Sequence, residues 1–427
     1  MRHFFQIVTA TSILIVIILL QMLALSYPPS YHDSSKQQMS HRGHHQMSFT
    51  KDCNCKSLFT IGACGIDKLE DVMPFDTGWK TALSGLNAAR KYANMEMMPH
   101  LATLARYLPQ LFTLNVTLED DDRFSLNLNT TPSRSMTKLP FVSCNIHQYT
   151  SDEVDRCTKE YKRLTGEPLR VAFVGDSRIR NTMQQMIRKL HAKVALKAGN
   201  EDIDMDLSTF LDTKVKLNLP IRGDAIELRL HWSAYLDEVR VVDQLDPRVA
   251  HQGARDLLEA WVYGNFTEKD GPPPHLIYMS NGLWETNMND DDVAVEESMT
   301  TMKTMRPLLN KLSRMSQILW HMHGPFKDWI AIRNKPTYAL DMMNRMSWKY
   351  LRDTNIWLWD TRTVLTLKER TECQALHEAN LTRKVPWYWG CSDFQHAGMD
   401  VEDATGNMIW NLACNKILNF SPDKCCS

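Results

Sequence analysis

Two short stretches of the 427-residue chain hold residue types that together could carry acyl-transfer chemistry. The first is Gly175-Asp176-Ser177 in "VAFVGDSRIRNTMQQMIRKL". A serine becomes a nucleophile when a base lies within hydrogen-bond reach and a third group orients that base. The second stretch, "CSDFQHAGMD", offers both: Asp393 precedes His396 by three residues, so one turn can bring the carboxylate to one imidazole nitrogen while the other faces Ser177. Each stretch also has a plainer reading. Asp176 or Ser177 could merely cap a helix, and fifteen histidines give the chain many chances of an Asp-x-x-His pair.

The elements around these residues favour the chemical reading. Residues 171–174 form an apolar run without alternation, which predicts a strand buried on both faces of a parallel sheet. Beyond Ser177, the residues Ile179, Met183, Met186, Ile187 and Leu190 recur at three- and four-residue steps and predict an amphipathic helix. Ser177 then occupies a strand-to-helix turn at the sheet's carboxyl edge, where backbone N–H groups of the helix start can face a developing oxyanion. Two more apolar runs, "HLIYMSNG" and "ILWHMHGP", should end at the same edge and bring Asn281 and His323 to it. Between them a methionine-rich helix over residues 293–314 is expected to bend or break at Pro307. "NIWLWD" reads as a further strand, and a last helix carries Met408, Ile409, Leu412, Ile417 and Leu418. Strands alternating with helices predict a parallel α/β sheet flanked by helices.

Composition bounds the setting. With 49 basic and 50 acidic residues the net charge is −1, which gives no footing for nucleic acid. Residues 4–25 carry no charge and are long enough to span the roughly 30 Å hydrocarbon core as a helix. Arg2 precedes them, so the expected topology is a cytosolic stub and signal-anchor (1–26), a stem (27–50), a helical lead-in or insert (51–140) and a catalytic domain (141–427) in the lumen. Cleavage near "LALSY" would instead release a secreted form. The stem's His41, His44 and His45 read as exposed linker residues. All ten cysteines follow the hydrophobic stretch and lack zinc-ligand spacing, which points to an oxidising compartment with no metal. Cys144 and Cys157, flanking a twelve-residue segment, are expected to pair. Sequons at Asn115, Asn129, Asn265 and Asn380, with a poorer one at Asn419, fit glycosylation in the secretory pathway.

Taken in order, "FVSCNIHQYTSDEVDRC", "VAFVGDSRIR", "IELRLHW", "HLIYMSNGLWE", "DFQH" and "CNKILNFSPDKCC" resemble successive blocks of the luminal domain of the eukaryotic sialate O-acetyltransferases, within the SGNH hydrolase fold. The resemblance covers residues 141–426. It implies that Ser177 accepts an acetyl group, that His396 is its base and that Asp393 orients His396. It also implies Golgi residence, a glycan acceptor, no bound cofactor and acetyl-CoA as a donor. SGNH enzymes commonly take oxyanion donors from a glycine and an asparagine; Asn281 is the asparagine candidate, and no glycine is evident. Family members continue into a multi-span membrane region, whereas this sequence shows one hydrophobic segment. A transferase of this kind would therefore be expected to rely on a separate multi-span partner or a luminal donor, while an esterase needs neither.

Two rival readings stand beside this one. The fold and its triad residues could serve a luminal or cell-surface glycan-binding protein without turnover. Alternatively His321 and His323, which share a strand face, could hold a metal, although no third ligand is evident.

Overall fold

The computed structural model describes residues 53–61, 63, 99–111, 115–118, 124–127, 137–191, 195–198, 201–202, 220–233, 235–237, 253–267, 270–288, 291–327, 337–382 and 390–427. The expected anchor, the stem with its histidines and Asn129 lie outside these residues. Among the described residues no helix is long and apolar enough to cross a membrane.

Helices α1 (Cys53–Ser57), α2 (Pro99–Ala105) and α3 (Leu108–Leu111) come first, then the antiparallel pair β1 (Asn115–Leu118) and β2 (Phe124–Asn127). After them come α4 (Ser151–Thr165), β3 (Leu169–Gly175), α5 (Ser177–His191) and the short strands β4 (Lys197–Ala198), β5 (Glu201–Asp202) and β6 (Ile221–Arg222). The chain continues with β7 (Ile226–Trp232), α6 (Arg255–Tyr263), β8 (Leu276–Met279), α7 (Leu283–Met288), α8 (Asp291–Leu312) and β9 (Gln317–His321). It finishes with α9 (Thr337–Leu351), β10 (Trp357–Trp359), α10 (Asp360–Glu378) and α11 (Met399–Cys414).

One sheet, ordered β10-β9-β8-β3-β7-β6-β4-β5, organises the domain. The strands from β10 to β7 are parallel, and β6, β4 and β5 extend that edge in antiparallel fashion. Of the parallel strands β3 is first in the chain, β7 pairs with one of its edges, and β8, β9 and β10 continue from the other. The order reverses between β3 and β8, and such a switch point opens a crevice at the strands' carboxyl ends. Both β3 and β8 lead into it.

The apolar run in β3 supports two cores. Val171 and Phe173 pack on the side of α5 and α11, while Ala172 and Val174 pack on the side of α6 and α8. The five residues that predicted α5 are all buried, each contributing about 1.5–3 kcal/mol of apolar burial. A capping box of Thr150 with Glu153 starts α4, and Gly166 in the left-handed region ends it. Of the expected bend or break at Pro307, the break does not occur, since α8 continues through it.

The cysteines correct an expectation. Cys144 pairs with Cys425 and Cys157 with Cys414, so Cys144 and Cys157 are not partners. Cys144 lies before α4, in a segment whose Asn145 bridges to Lys424, whereas Cys157 lies on the buried face of α4. The helix carries the second thiol away from the first and toward α11. Cys55 pairs with Cys426, which staples α1 to the carboxyl end, and Thr60 and Thr361 donate hydrogen bonds to the carbonyls of Leu358 and Leu58. Of the sequons, Asn115 opens β1, while Asn265, Asn380 and Asn419 are exposed just beyond helices.

Candidate active site

Strand β3 ends on Gly175, whose φ of 149° lies in the region that favours glycine. A Cβ there would sit 2.8 Å from Ile179 Cγ1 and 3.0 Å from Ser280 Oγ, so α5 can start this close to the sheet only beyond a glycine. Asp176 caps the helix, accepting the Arg178 N–H on Oδ1 at 2.8 Å. Its burial pushes its carboxyl above the ordinary value, a rise that the charge and N–H of Arg178 reduce. Capping therefore falls to Asp176. Ser177, the first residue of α5, keeps its hydroxyl for another partner.

That partner is His396, with Nε2 2.6 Å from Ser177 Oγ. On the other side of the ring Nδ1 lies 2.8 Å from Asp393 Oδ2. A carboxylate can only accept, so Nδ1 carries the proton and Nε2 is left to receive the serine's. Asp393 Oδ1 also accepts the backbone N–H groups of Gln395 and His396, both at 3.0 Å, which locks the carboxylate across a single turn. Burial alone would raise the Asp393 carboxyl, but the hydrogen bond and charge of His396 and these two N–H groups hold it well below the usual carboxylate range. Serine, imidazole and carboxylate thus form one continuous relay of triad geometry.

Asn281 reaches the same turn from β8. Val174 pairs in register with Met279, and the Ser280 N–H donates to the Val174 carbonyl at 3.2 Å, which carries Asn281 just past the strand end beside Asp176 and Ser177. Its side chain is buried, and neither amide atom has a hydrogen-bond partner among the described residues. A buried amide without a partner costs about 1–3 kcal/mol.

His323 requires a correction, because at 2% exposure it does not line the crevice. It lies two residues beyond β9 with its main chain gripped twice by Asn344, at 2.7 and 2.8 Å, and this turns the ring inward. Its Nε2 donates to the Asn281 carbonyl at 2.5 Å, and Nδ1 faces Arg178 Nη1 at 3.4 Å. Burial, followed by the charge of Arg178, pushes the imidazole down to about 3, so it stays neutral and acts as a strut behind Asn281. His321 is likewise buried, between the Tyr278 hydroxyl at 2.5 Å and Arg362 at 3.5 Å. The two imidazoles that share a strand face are thus engaged with donors and acceptors of the interior.

Arg178 escaped the motif reading although it directly follows the serine. Its Nε donates to the Gln395 carbonyl at 2.8 Å and Nη1 to the Gly324 carbonyl at 3.3 Å, with the guanidinium over the Phe326 ring. A cation in the first turn of a helix opposes the macrodipole. That misplacement was the available signal that Arg178 has specific acceptors.

No family model matches the chain. In sequence it is 22% identical over 284 residues to the N-acetylneuraminate (7)9-O-acetyltransferase of Danio rerio, covering 66% of this chain and 29% of that protein. Among solved structures, a peptidoglycan O-acetylesterase aligns over 64% of this chain and 97% of its own, with a TM-score of 0.33 and 9% identity. The N-terminal part of a Bacteroides fragilis protein containing a phosphatase domain aligns over 62% and 56%, with a TM-score of 0.26 and 11% identity. The chain spans under a third of the length of its curated relative, and over that span it resembles a sialate O-acetyltransferase, as its motif blocks led one to expect.

Proposed function

We propose that this chain is an enzyme of SGNH type that moves an acetyl group to or from a glycan hydroxyl through an acetyl-serine at Ser177. The observation that carries this reading is the relay of Ser177, His396 and Asp393 with contacts of 2.6 and 2.8 Å. The similarity to a sialate O-acetyltransferase supports the acetyl group and the glycan.

In the first half-reaction His396 Nε2 takes the Ser177 proton as Oγ bonds to the acetyl carbonyl carbon. The oxyanion so formed faces the N–H groups at the start of α5 and the amide of Asn281. Collapse breaks the bond to the leaving group, which receives the proton from His396. In the second half, water or a sugar hydroxyl gives its proton to His396 and attacks the acetyl-serine; collapse breaks the bond from Oγ to the carbonyl carbon, and His396 returns the proton to Ser177, restoring the enzyme. Water makes an esterase, and a sugar hydroxyl makes a transferase. Acetyl-CoA is a suitable donor for the transfer. The four disulfides among the described residues support a luminal setting, and residues 4–25 suit an anchor.

The test is to incubate the purified full chain with a fluorophosphonate probe, an O-acetylated sialoglycan and labelled acetyl-CoA in turn. Labelling of the wild type but not of Ser177→Ala, together with acetate release or acetyl-serine by intact mass, is the expected result. Wild-type protein that neither labels nor turns over would sink the enzymatic reading in favour of a glycan-binding protein.

A further inference from the structure

The segment carrying the triad's acid and base, residues 390–398, is irregular. Helical hydrogen bonds therefore do not hold His396 in place. Two charged side chains outside the triad supply much of the restraint. Lys327, six residues beyond β9, is almost fully buried, and its Nζ donates to the carbonyls of His396 at 2.7 Å and Gly390 at 2.8 Å. Its backbone N–H donates to the Phe394 carbonyl at 2.8 Å. The same ammonium pairs with Glu369 Oε1 at 2.7 Å, and Glu369 Oε2 accepts the Gly398 N–H at 2.6 Å.

The pair therefore grips the segment at both ends and at the base itself. Glu369 and Cys373 stand one turn apart on α10, and Cys373 is bonded to Cys391, so one face of that helix holds the segment's start by a disulfide and its finish by a carboxylate. Gly390 permits the close return: at φ 69°, a Cβ there would lie 2.8 Å from the Gly398 backbone. The ammonium hydrogen-bonds two carbonyls and is ion-paired with the carboxylate, and in a dry site such charged contacts are strong.

We infer that the buried Lys327–Glu369 pair positions the imidazole of His396 by fixing the main chain that bears it, and so sets the rate of the chemical step rather than substrate affinity. This rests on the functional reading above. Neither residue touches the reacting atoms; both act through His396. Serine-to-imidazole geometry tolerates little drift, since a displacement of about 1 Å can cost about 100-fold in rate.

The test compares the full chain with Lys327→Met/Glu369→Gln and with Lys327→Arg. The double variant removes both charges together, leaves no uncompensated ion in the interior, and keeps an acceptor for the Gly398 N–H. Its kcat on 4-nitrophenyl acetate is expected to fall about 100-fold, with KM within twofold and the thermal midpoint little changed. Lys327→Arg keeps the charge pair but cannot set a single nitrogen among three oxygens, and is expected to lose about tenfold in kcat. In the double variant, hydrogen–deuterium exchange at the Gln395 and His396 amides should rise. Wild-type kcat in both variants, or a fall that appears in KM alone, would overturn the inference. A wild type that cleaves no ester would end the functional reading instead. In that case the exchange arm decides by itself, raised exchange supporting the brace and unchanged exchange refuting it.

Discussion

Arg178 Nε donates to the main-chain carbonyl of Gln395 at 2.8 Å, so the residue after the candidate nucleophile holds the residue before the candidate base. A hydrogen bond thus spans the junction across which the proposed mechanism passes its proton. Burial, chiefly, pushes the Arg178 guanidinium down to about 10, and Asp176 counters this, so the group stays charged at neutral pH.

Arg178→Lys should therefore damage turnover more than folding. A lysine keeps the charge but cannot serve the Gln395 and Gly324 carbonyls together from a planar fork. Steady-state kinetics should show kcat reduced about 10–100-fold at little change in KM. Equal kcat in the two proteins would remove Arg178 from the geometry of the relay.

Asp393→Asn tests the orienting role and carries a pH signature. The folded Asp393 carboxyl lies below its unfolded value, so the stability it contributes is present above the ordinary carboxylate pKa. It disappears only as pH falls through the lower, folded value. Asp393 therefore remains ionised across the usual assay range and cannot be the group behind an acidic fall in rate near neutrality. The substituted amide would keep the shape yet favour the wrong tautomer of His396, so the rate should drop about 10²–10⁴-fold at every pH between about 5 and 9. An acid limb that merely shifts, with the plateau rate preserved, would contradict this assignment.

How much of this was legible follows from range in sequence. Strand β3, the turn at Ser177 and helix α5 were readable because apolar runs and three-to-four spacing are local signals, and Asp393 meets His396 within one turn. The two-residue strands β4, β5 and β6 were not, since elements that short carry no period. Disulfide partners depend on which chain ends meet in space, and spacing gave Cys144 the wrong one. His323 was placed at the right strand end but on the wrong side of it. Only the grip of Asn344, from α9, reveals its inward turn.

The cysteine pairing predicts a stability effect. Cys157–Cys414 ties α4 to α11 across a sequence separation of 257. Cys157→Ser/Cys414→Ser should lower unfolding free energy by about 2–5 kcal/mol, read as a lower denaturant midpoint. Non-reducing peptide mapping should recover Cys157 joined to Cys414 and Cys144 to Cys425. Recovery of a Cys144–Cys157 peptide would contradict the fold at α4.

A second buried ion pair lies beneath the relay. Arg362 Nη2 meets Glu402 Oε1 at 2.5 Å, and Thr182 donates to the other carboxylate oxygen at 2.6 Å, which joins α10, α11 and α5. Glu402→Leu strands a buried guanidinium and should cost about 3–5 kcal/mol, whereas Arg362→Met/Glu402→Leu should cost clearly less. Thermal unfolding of the three proteins decides it, and equal losses for the single and double variants would show that the pair is not coupled.

Asn281 offers the sharpest separation of chemistry from structure. A buried amide kept for packing would be hydrogen-bonded, yet both polar atoms of this side chain lack partners among the described residues, while its carbonyl is held by the neutral His323. The backbone is held while the amide, just past the end of β8, is left without a partner among the described residues, the arrangement expected of a donor that would find its acceptor only when an oxyanion forms. The two roles predict opposite stability effects. If the amide waits for the oxyanion, Asn281→Ala relieves an unmet desolvation cost of about 1–3 kcal/mol that offsets the lost packing, so the thermal midpoint should hold or rise. Over the same substitution kcat should fall about 10²–10³-fold, with KM for a small acetyl ester little altered. A lower midpoint with undiminished kcat would make Asn281 a structural residue, and the oxyanion would then depend on the backbone N–H groups of α5 alone.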